Sequence, residues 1–390
     1  MPVPPLTHLG TLPVAQFMRR YWQRRPLLVR QALAGFSPPI EPASLFALAR
    51  REEVESRLVT AFNGWRLEHG PIARRRLPSP GKAGWTLLVQ GVDLHDDRAA
   101  DLLARFRFIA DARLDDLMVS YASDGGGVGA HVDAYDVFLL QARGRRRWRI
   151  GKGDPRDFVP GLPLKVLRRF QPRHEWVLEP GDLLYLPPGV AHEGIAIGGD
   201  CVTCSIGFRA MAWGELVEPW LDTMARLPKS AGRYTDPGVA PTRRPARLPA
   251  ALAEAAFAAL AHARPTRANV QATLLTFLSE PKSNVVFART RRALAPAELR
   301  SAARTRGLRL DRRTRMLYSG QSIAINGELV GLKDTTSEDR KFLYALADQR
   351  ELEPSSVAAL SPAPWSILAR WHAAGWLRFP PRTPVRLRRP

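Results

Sequence analysis

The sequence predicts a mainly β fold with added α-helices, arranged as a barrel-like N-terminal unit, a helical middle and a mixed C-terminal part. Three observations lead there. Short strand-like runs separated by turn residues fill residues 133–192, two helical patterns follow residue 249, and short helices alternate with a hairpin beyond about residue 281. The boundaries expected from these changes are 1–212, 213–280 and 281–390.

Along the chain, a helix is expected near Val14–Gln23, then the strand PLLVR beginning at Pro26. The runs Val137–Gln141, Arg147–Ile150, Trp176–Leu178 and Leu183–Leu186 provide enough strand to cross a barrel and return. Strand character ends after Phe208. Trp213–Leu227 reads as an apolar-faced helix that Pro219 must interrupt or restart. Pro228–Pro249, rich in Pro, Gly and Arg, reads as a linker. Helical patterns follow at Ala250–Ala263 and Thr266–Leu278, and a helical pair outside the barrel that cannot bury itself suggests a self-association surface. In the last third, Pro296–Arg306 reads as a helix and Arg315–Asn326 as a hairpin around Ser319-Gly320. Thr336 to Asp339 reads as a capping box, and Pro364–Ala374 as a final helix ended by Gly375 before WLRF. That last helix carries one Arg and much aromatic surface, which suits packing better than reading DNA.

The chemistry lies in GGGVGAHVDAYDVF and GDLLYLPPGVAHEG. On a strand, residues i and i+2 share a face, so His131 and Asp133 can grip one metal while Val132 points away. In the second block a Pro187-Pro188-Gly189 turn after an apolar strand delivers His192. Two imidazoles and one carboxylate occupy one face of an octahedral ion and leave three positions open, the ligand set of a non-haem Fe(II) centre. Gly125, Gly126, Gly127 and Gly129 either let backbone pass close to the metal side or form a plain flexible loop.

Composition bounds the function. At 390 residues and 45% hydrophobic, the chain can build two or three domains with proper cores. No apolar run approaches a membrane span and MPVPPLTHLG lacks a secretory pattern, so the expected location is cytoplasmic, with no membrane partner. Cys201 and Cys204 stand on opposite faces of one extended run, which argues against a shared metal or redox pair. Lys+Arg 58 against Asp+Glu 37 gives +21, a charge that attracts polyanions and fades in salt. An Arg- and Ala-rich bias throughout the chain accounts for part of that excess.

The blocks DDLMVSYASDGGGVGAHVDAYDVFLLQARGRRRWRIG and EPGDLLYLPPGVAHEG resemble the JmjC-type, cupin-fold 2-oxoglutarate oxygenases, and among them the bacterial ribosomal oxygenases of the YcfD or RoxA type. The resemblance covers essentially the whole chain. It implies a double-stranded β-helix (jelly roll) with metal ligands His131, Asp133 and His192, a dimerising helical region and a C-terminal winged-helix-like domain. It implies Fe(II), 2-oxoglutarate and dioxygen as cofactor and cosubstrates. The substrate it implies is an arginyl residue of the sixteenth large-subunit ribosomal protein, met near ribosomal RNA or free, and the oligomer a homodimer.

Strand alternation places Arg146 on one face and Arg145 with Arg147 on the other; the resemblance puts the cosubstrate salt bridge on Arg146. Ser120, and behind it Thr203 and Ser205, offer hydroxyls for the same carboxylate, Ser120 matching the family best. Asp116 and Met118 share the face of Ser120, and Tyr135 that of His131 and Asp133. If these mark the pocket, a carboxylate and an apolar wall await a long cationic side chain, while Asp136 points away. Histidyl or lysyl substrates, a metal-binding cupin regulator without oxygenase activity, and a nucleic-acid-binding regulator stay open; Asp116 is the reason to prefer arginine, and Arg146 to prefer an oxygenase.

Overall fold

The computed structural model describes residues 3–33, 35–61, 64–226, 250–261, 265–332, 335–358 and 360–380, so the expected linker at 228–249 lies outside the described residues. Residues 1–210, 282–314 and 341–390 make one compact unit, and 211–281 with 315–340 a second.

The first unit opens with β1 (His8–Leu9) and β2 (Leu12–Pro13), a small hairpin, then α1 (Val14–Arg20). α1 stops three residues short of the expected end, and Gln23 takes a left-handed φ of 54°. Next come β3 (Leu27–Val29), α2 (Pro42–Leu48), β4 (Ser56–Thr60), β5 (Arg66–His69), β6 (Trp85–Val89), α3 (Asp97–Ala104) and β7 (Leu114–Ala122). β8 (His131–Val132), β9 (Val137–Lys152), β10 (Gln171–Leu178), β11 (Leu183–Leu186) and β12 (Ala191–Phe208) complete a ten-stranded antiparallel system ordered β3-β11-β9-β12-β7-β6-β4-β5, with β10 on β9 and β8 on β12.

Two long strands turn this sheet into a double-stranded β-helix. The first half of β9 pairs with β11 and with the second half of β12, which pairs in turn with β7. The second half of β9 pairs with β10 and with the first half of β12. The ladder between β9 and β12 slips between Ile197 and Thr203, where both strands bend from one layer into the other. Gly144 sits at the bend with φ 63°, and a Cβ there would stand 2.8 Å from the Asp200 carbonyl oxygen, so only glycine fits. The two runs expected at 137–141 and 147–150 are therefore one strand that continues through the arginine cluster.

Alternation divides the apolar residues between two cores. Phe138, Leu140, Tyr185, Cys204 and Ile206 pack outward with Phe17 of α1, Phe46 of α2 and Leu102 of α3. Val137, Leu139, Trp148, Ile150, Leu178, Leu184 and Leu186 fill the barrel interior. Each large buried side chain contributes roughly 1.5–3 kcal/mol. Asp136 is fully buried on the outer core, taking hydrogen bonds from the Tyr185 hydroxyl (2.6 Å) and Gln23 Nε2 (2.9 Å), so it does point away from the pocket. Cys201 packs with Ala122 and Ala196, whereas Cys204 belongs to the outer core, as opposite faces require.

This unit also holds α7 (Pro296–Arg306), α9 (Pro354–Ala358) and α10 (Trp365–Ala374), with β13 (Leu308–Leu310) between β17 (Glu351–Leu352) and β18 (Leu377–Arg378). α10 buries Trp365, Ile367, Leu368 and Trp371 and ends at Gly375 with φ 81°, a packing helix as its composition indicates.

In the second unit a 3-10 turn at Trp213–Leu216 leads into α4 (Val217–Arg226), with Pro219 in the first turn, where its missing N–H breaks no helical bond. α5 (Ala250–Ala261) follows. α6 (Arg267–Ser279), capped by the Thr266 hydroxyl, packs against α4 and against the three-stranded sheet β14 (Met316–Ser319), β15 (Ser322–Ile325) and β16 (Glu328–Leu329). Before α8 (Ser337–Gln349), most of which belongs to the first unit, the Thr336 N–H donates to Asp339 at 2.8 Å and the Asp339 N–H to the Thr336 hydroxyl at 3.1 Å, the expected capping box.

Candidate metal centre and its pocket

His131 and His192 are direct cross-strand partners between β8 and β12, so antiparallel pairing brings together residues 61 positions apart in the chain. Their ring centroids are 4.2 Å apart. His131 Nε2 lies 3.9 Å from Asp133 Oδ1, and His192 Nε2 lies 3.6 Å from Asp133 Oδ2. The turn that delivers His192 is tied to the same spot, because the Gly189 N–H donates to the Asp133 carbonyl at 2.9 Å. Among the described residues, these three form the one His/Cys/Asp/Glu cluster able to hold a metal ion.

The donor chemistry fits a divalent transition ion. Nδ1 of His131 lies 3.0 Å from the Gly129 carbonyl and Nδ1 of His192 2.9 Å from the Val190 carbonyl. A carbonyl accepts only from an N–H, so both rings carry their proton on Nδ1 and turn the Nε2 lone pair toward Asp133. Burial, with the nearby His131, lowers the His192 pKa to about 3, which keeps this ligand neutral. Burial raises the pKa of Asp133, opposed by the neighbouring His131 and by hydrogen bonding from Tyr135. A carboxylate crowded out of water and facing two lone pairs is short of a cation. Gly127 explains the glycine run, since a Cβ there would lie 2.6 Å from the Gly194 carbonyl oxygen of β12.

Arg146 lies on the same inner face as the triad. It pairs across to Ala196 and is 5% exposed, whereas Arg145 is exposed and Arg147 half-buried. Its guanidinium lies over the Trp148 ring at 5.7 Å, and Nε and Nη2 have no hydrogen-bond partner among the described residues. Buried N–H groups almost always find acceptors, and a buried cation an anion, so this guanidinium is built for a missing carboxylate.

Ser120 is buried directly opposite Thr203, and Ser205 opposite Met118, on the inner face. The Thr203 hydroxyl is already engaged, donating to Gln141 Oε1 at 3.0 Å. Met118 and Tyr135 are partly exposed, Tyr135 at 42%, which suits an open wall. Asp116 is 3% exposed and already has partners, Gln90 Nε2 at 2.9 Å, the Gly91 N–H at 3.0 Å and Lys282 Nζ at 3.0 Å.

Several of these residues escape sequence reasoning. Trp148, whose ring lies 5.9 Å from His192, is findable as the next same-face position after Arg146. Gln141 and Gln90 carry no local signal. Lys282 is 166 residues from the carboxylate it meets.

A sequence-family profile described as JmjC domain matches residues 101–216, and one described as ROXA-like winged helix matches 258–378. A curated relative from Escherichia coli, named ribosomal protein uL16 3-hydroxylase, is 40% identical over 238 residues, covering 60% of this chain and 63% of its own length. A probable ribosomal oxygenase of Haemophilus influenzae is 37% identical over 52% of this chain and 51% of its own. These sequence matches thus span between half and two thirds of the relatives' lengths. The solved structure of YcfD, a ribosomal oxygenase from Escherichia coli, superposes with a TM-score of 0.80 at 31% identity, covering 96% of this chain and all of the other. The same protein has been solved in complex with cobalt and 2-oxoglutarate, again at a TM-score of 0.80. By fold, sequence and full-length structural similarity, this chain belongs to the JmjC-domain ribosomal oxygenase family.

Proposed function

We propose that this chain is an Fe(II)- and 2-oxoglutarate-dependent protein hydroxylase acting on an arginyl residue of the ribosomal protein uL16. The observation that carries the reading is the buried Arg146, whose Nε and Nη2 have no acceptor among the described residues, on the inner face that also holds His131, Asp133 and His192. A three-ligand facial site beside a buried cation with free N–H groups suits a metal and a dicarboxylate bound together.

In this reading His131, Asp133 and His192 hold the iron, and Arg146 with Ser120 takes the distal carboxylate of 2-oxoglutarate. Thr203 and Ser205 line the same wall, Thr203 fixed by Gln141. Bound iron and 2-oxoglutarate together supply the activation of dioxygen. The chain's own share is positioning: the Gly129 and Val190 carbonyls fix the imidazole tautomers, and Trp148, Leu139 and Leu184 keep the interior dry. Asp116, with Met118 and Tyr135 as the wall, receives the substrate guanidinium.

The wider proposals are a catalytic domain over 1–212, a helical dimerisation region over 213–280 and a winged-helix-like domain over 281–390. Trp213 (82% exposed), Val217, Leu221 and Phe257 offer apolar surface in the middle region for a second copy. No described helix is long and apolar enough to cross a membrane. We place the protein in the cytoplasm, where its +21 charge favours approach to ribosomal RNA. Incubation with Fe(II), 2-oxoglutarate and ribosomal proteins should add 16 Da to uL16, and His131→Ala should abolish the addition. Turnover of 2-oxoglutarate without a mass change on any ribosomal protein would reject the substrate.

A further inference from the structure

We propose that Lys282 is an intramolecular competitor for the substrate cation at Asp116, and that this competition sets a threshold which a guanidinium passes and an ammonium does not. The proposal rests on the reading of Asp116 as the substrate carboxylate.

Asp116 belongs to β7 and its side chain is almost wholly buried. Its Oδ1 accepts one contact, from Gln90 Nε2 at 3.1 Å. Its Oδ2 accepts three, from Gln90 Nε2 (2.9 Å), the Gly91 N–H (3.0 Å) and Lys282 Nζ (3.0 Å). Lys282 Nζ also lies 3.3 Å from Asp115 Oδ2, and its side chain is 31% exposed. The ammonium therefore reaches Asp116 on a stem that keeps access to water. On the opposite strand the pairing slips between Ile206 and Phe208, and Gly207 leaves room beside Oδ1, where a Cβ would stand 3.7 Å away.

A carboxylate offers about four lone-pair positions. With Oδ2 filled by three donors, a planar guanidinium cannot bridge both oxygens until Lys282 withdraws and Gln90 Nε2 keeps only its contact with Oδ1. A substrate ammonium would bring the same point charge that Lys282 already supplies at the high effective concentration of a tethered group, and would gain little by replacing it. A guanidinium brings two parallel charge-assisted contacts, one to each oxygen, where the ammonium brings one, and so has a reason to win. Asp115 gives the displaced ammonium somewhere to stay, so exchange does not strand a charge.

The test measures binding of fluorescein-labelled uL16 peptides to the full chain loaded with Mn(II) and 2-oxoglutarate, by anisotropy, with the target residue as arginine or as lysine. In Lys282→Met the arginine peptide should bind about two- to ten-fold more tightly and the lysine peptide should gain by a similar factor, because the same contact no longer has to be displaced. In Lys282→Arg the arginine peptide should bind more weakly. An arginine-peptide Kd that is unchanged or weaker in folded Lys282→Met overturns the proposal. Should that variant fail to fold, unchanged or tighter binding by Lys282→Arg does the same. Asp116→Asn separates the two layers: if it leaves arginine-peptide binding intact, the substrate-pocket reading itself has failed; if it weakens binding while Lys282→Met does not tighten it, only the competition is wrong.

Discussion

Replacing Arg146 with Met keeps most of the side chain's length and removes its charge, which isolates the role of one buried cation. Arg146 is 5% exposed, its Nε and Nη2 have no acceptor among the described residues, and the Trp148 ring offsets part of its desolvation. Cation–π contact at such a site is worth about 2 kcal/mol, less than the several kcal/mol that burying an ion costs. Arg146→Met should therefore leave the 2-oxoglutarate-free protein as stable as the parent or more stable, by roughly 1–3 kcal/mol in chemical denaturation. With cosubstrate the sign reverses. Losing one partner of a buried, hydrogen-bonded charge pair costs about 2–5 kcal/mol, or roughly 30- to 5000-fold in affinity. The assay pairs urea melts without ligand with the 2-oxoglutarate dependence of succinate release. A variant destabilised without ligand, yet within about threefold of the parent in KM for 2-oxoglutarate, would refute the assignment.

Two further outcomes follow from the geometry. Alanine at His131, Asp133 or His192 should weaken Mn(II) binding by more than about 100-fold in titration calorimetry, and retained stoichiometric binding by any of the three would remove that residue from the ligand set. Asp93 is buried beside Asp116, and burial, with the neighbouring carboxylate, pushes its pKa up to about 7 from the ordinary 3.8. The folded state then binds more protons than the unfolded chain between those values, so stability is greatest at the acid end of the window and falls as pH rises from about 4 to 7, by on the order of 1–4 kcal/mol. Asp93→Asn keeps an acceptor for the Leu117 N–H, now 2.9 Å away, and should flatten that fall; an unchanged slope in melting temperature against pH would place the proton elsewhere.

What could be read from the sequence was what local geometry determines. The i, i+2 spacing of His131 and Asp133, the Pro-Pro-Gly turn before His192 and the parity of Arg146 within its arginine run each depend on a few neighbouring residues, and each side chain stands where that spacing implies. The helix at Pro296–Arg306 and the Thr336–Asp339 capping box were legible for the same reason. Long-range register was not. In a jelly roll the partner of a polar side chain is decided by which distant strand lies beside it, so nothing near Thr203 points to Gln141 and nothing near Asp116 points to Lys282. The arginine run around Gly144 looked like a break between strands, yet the backbone continues through it, because paired strands can bend together without ending.

The pocket is proposed to transfer an oxygen atom from dioxygen to a ribosomal protein. That transfer is tested most directly by running the reaction under 18O-labelled dioxygen and locating the label by tandem mass spectrometry. One labelled oxygen is expected on an arginine side chain of uL16 and the second in succinate, with neither product formed by Asp133→Ala. Labelled succinate with unlabelled, unmodified uL16, or modification that persists in Asp133→Ala, would contradict it.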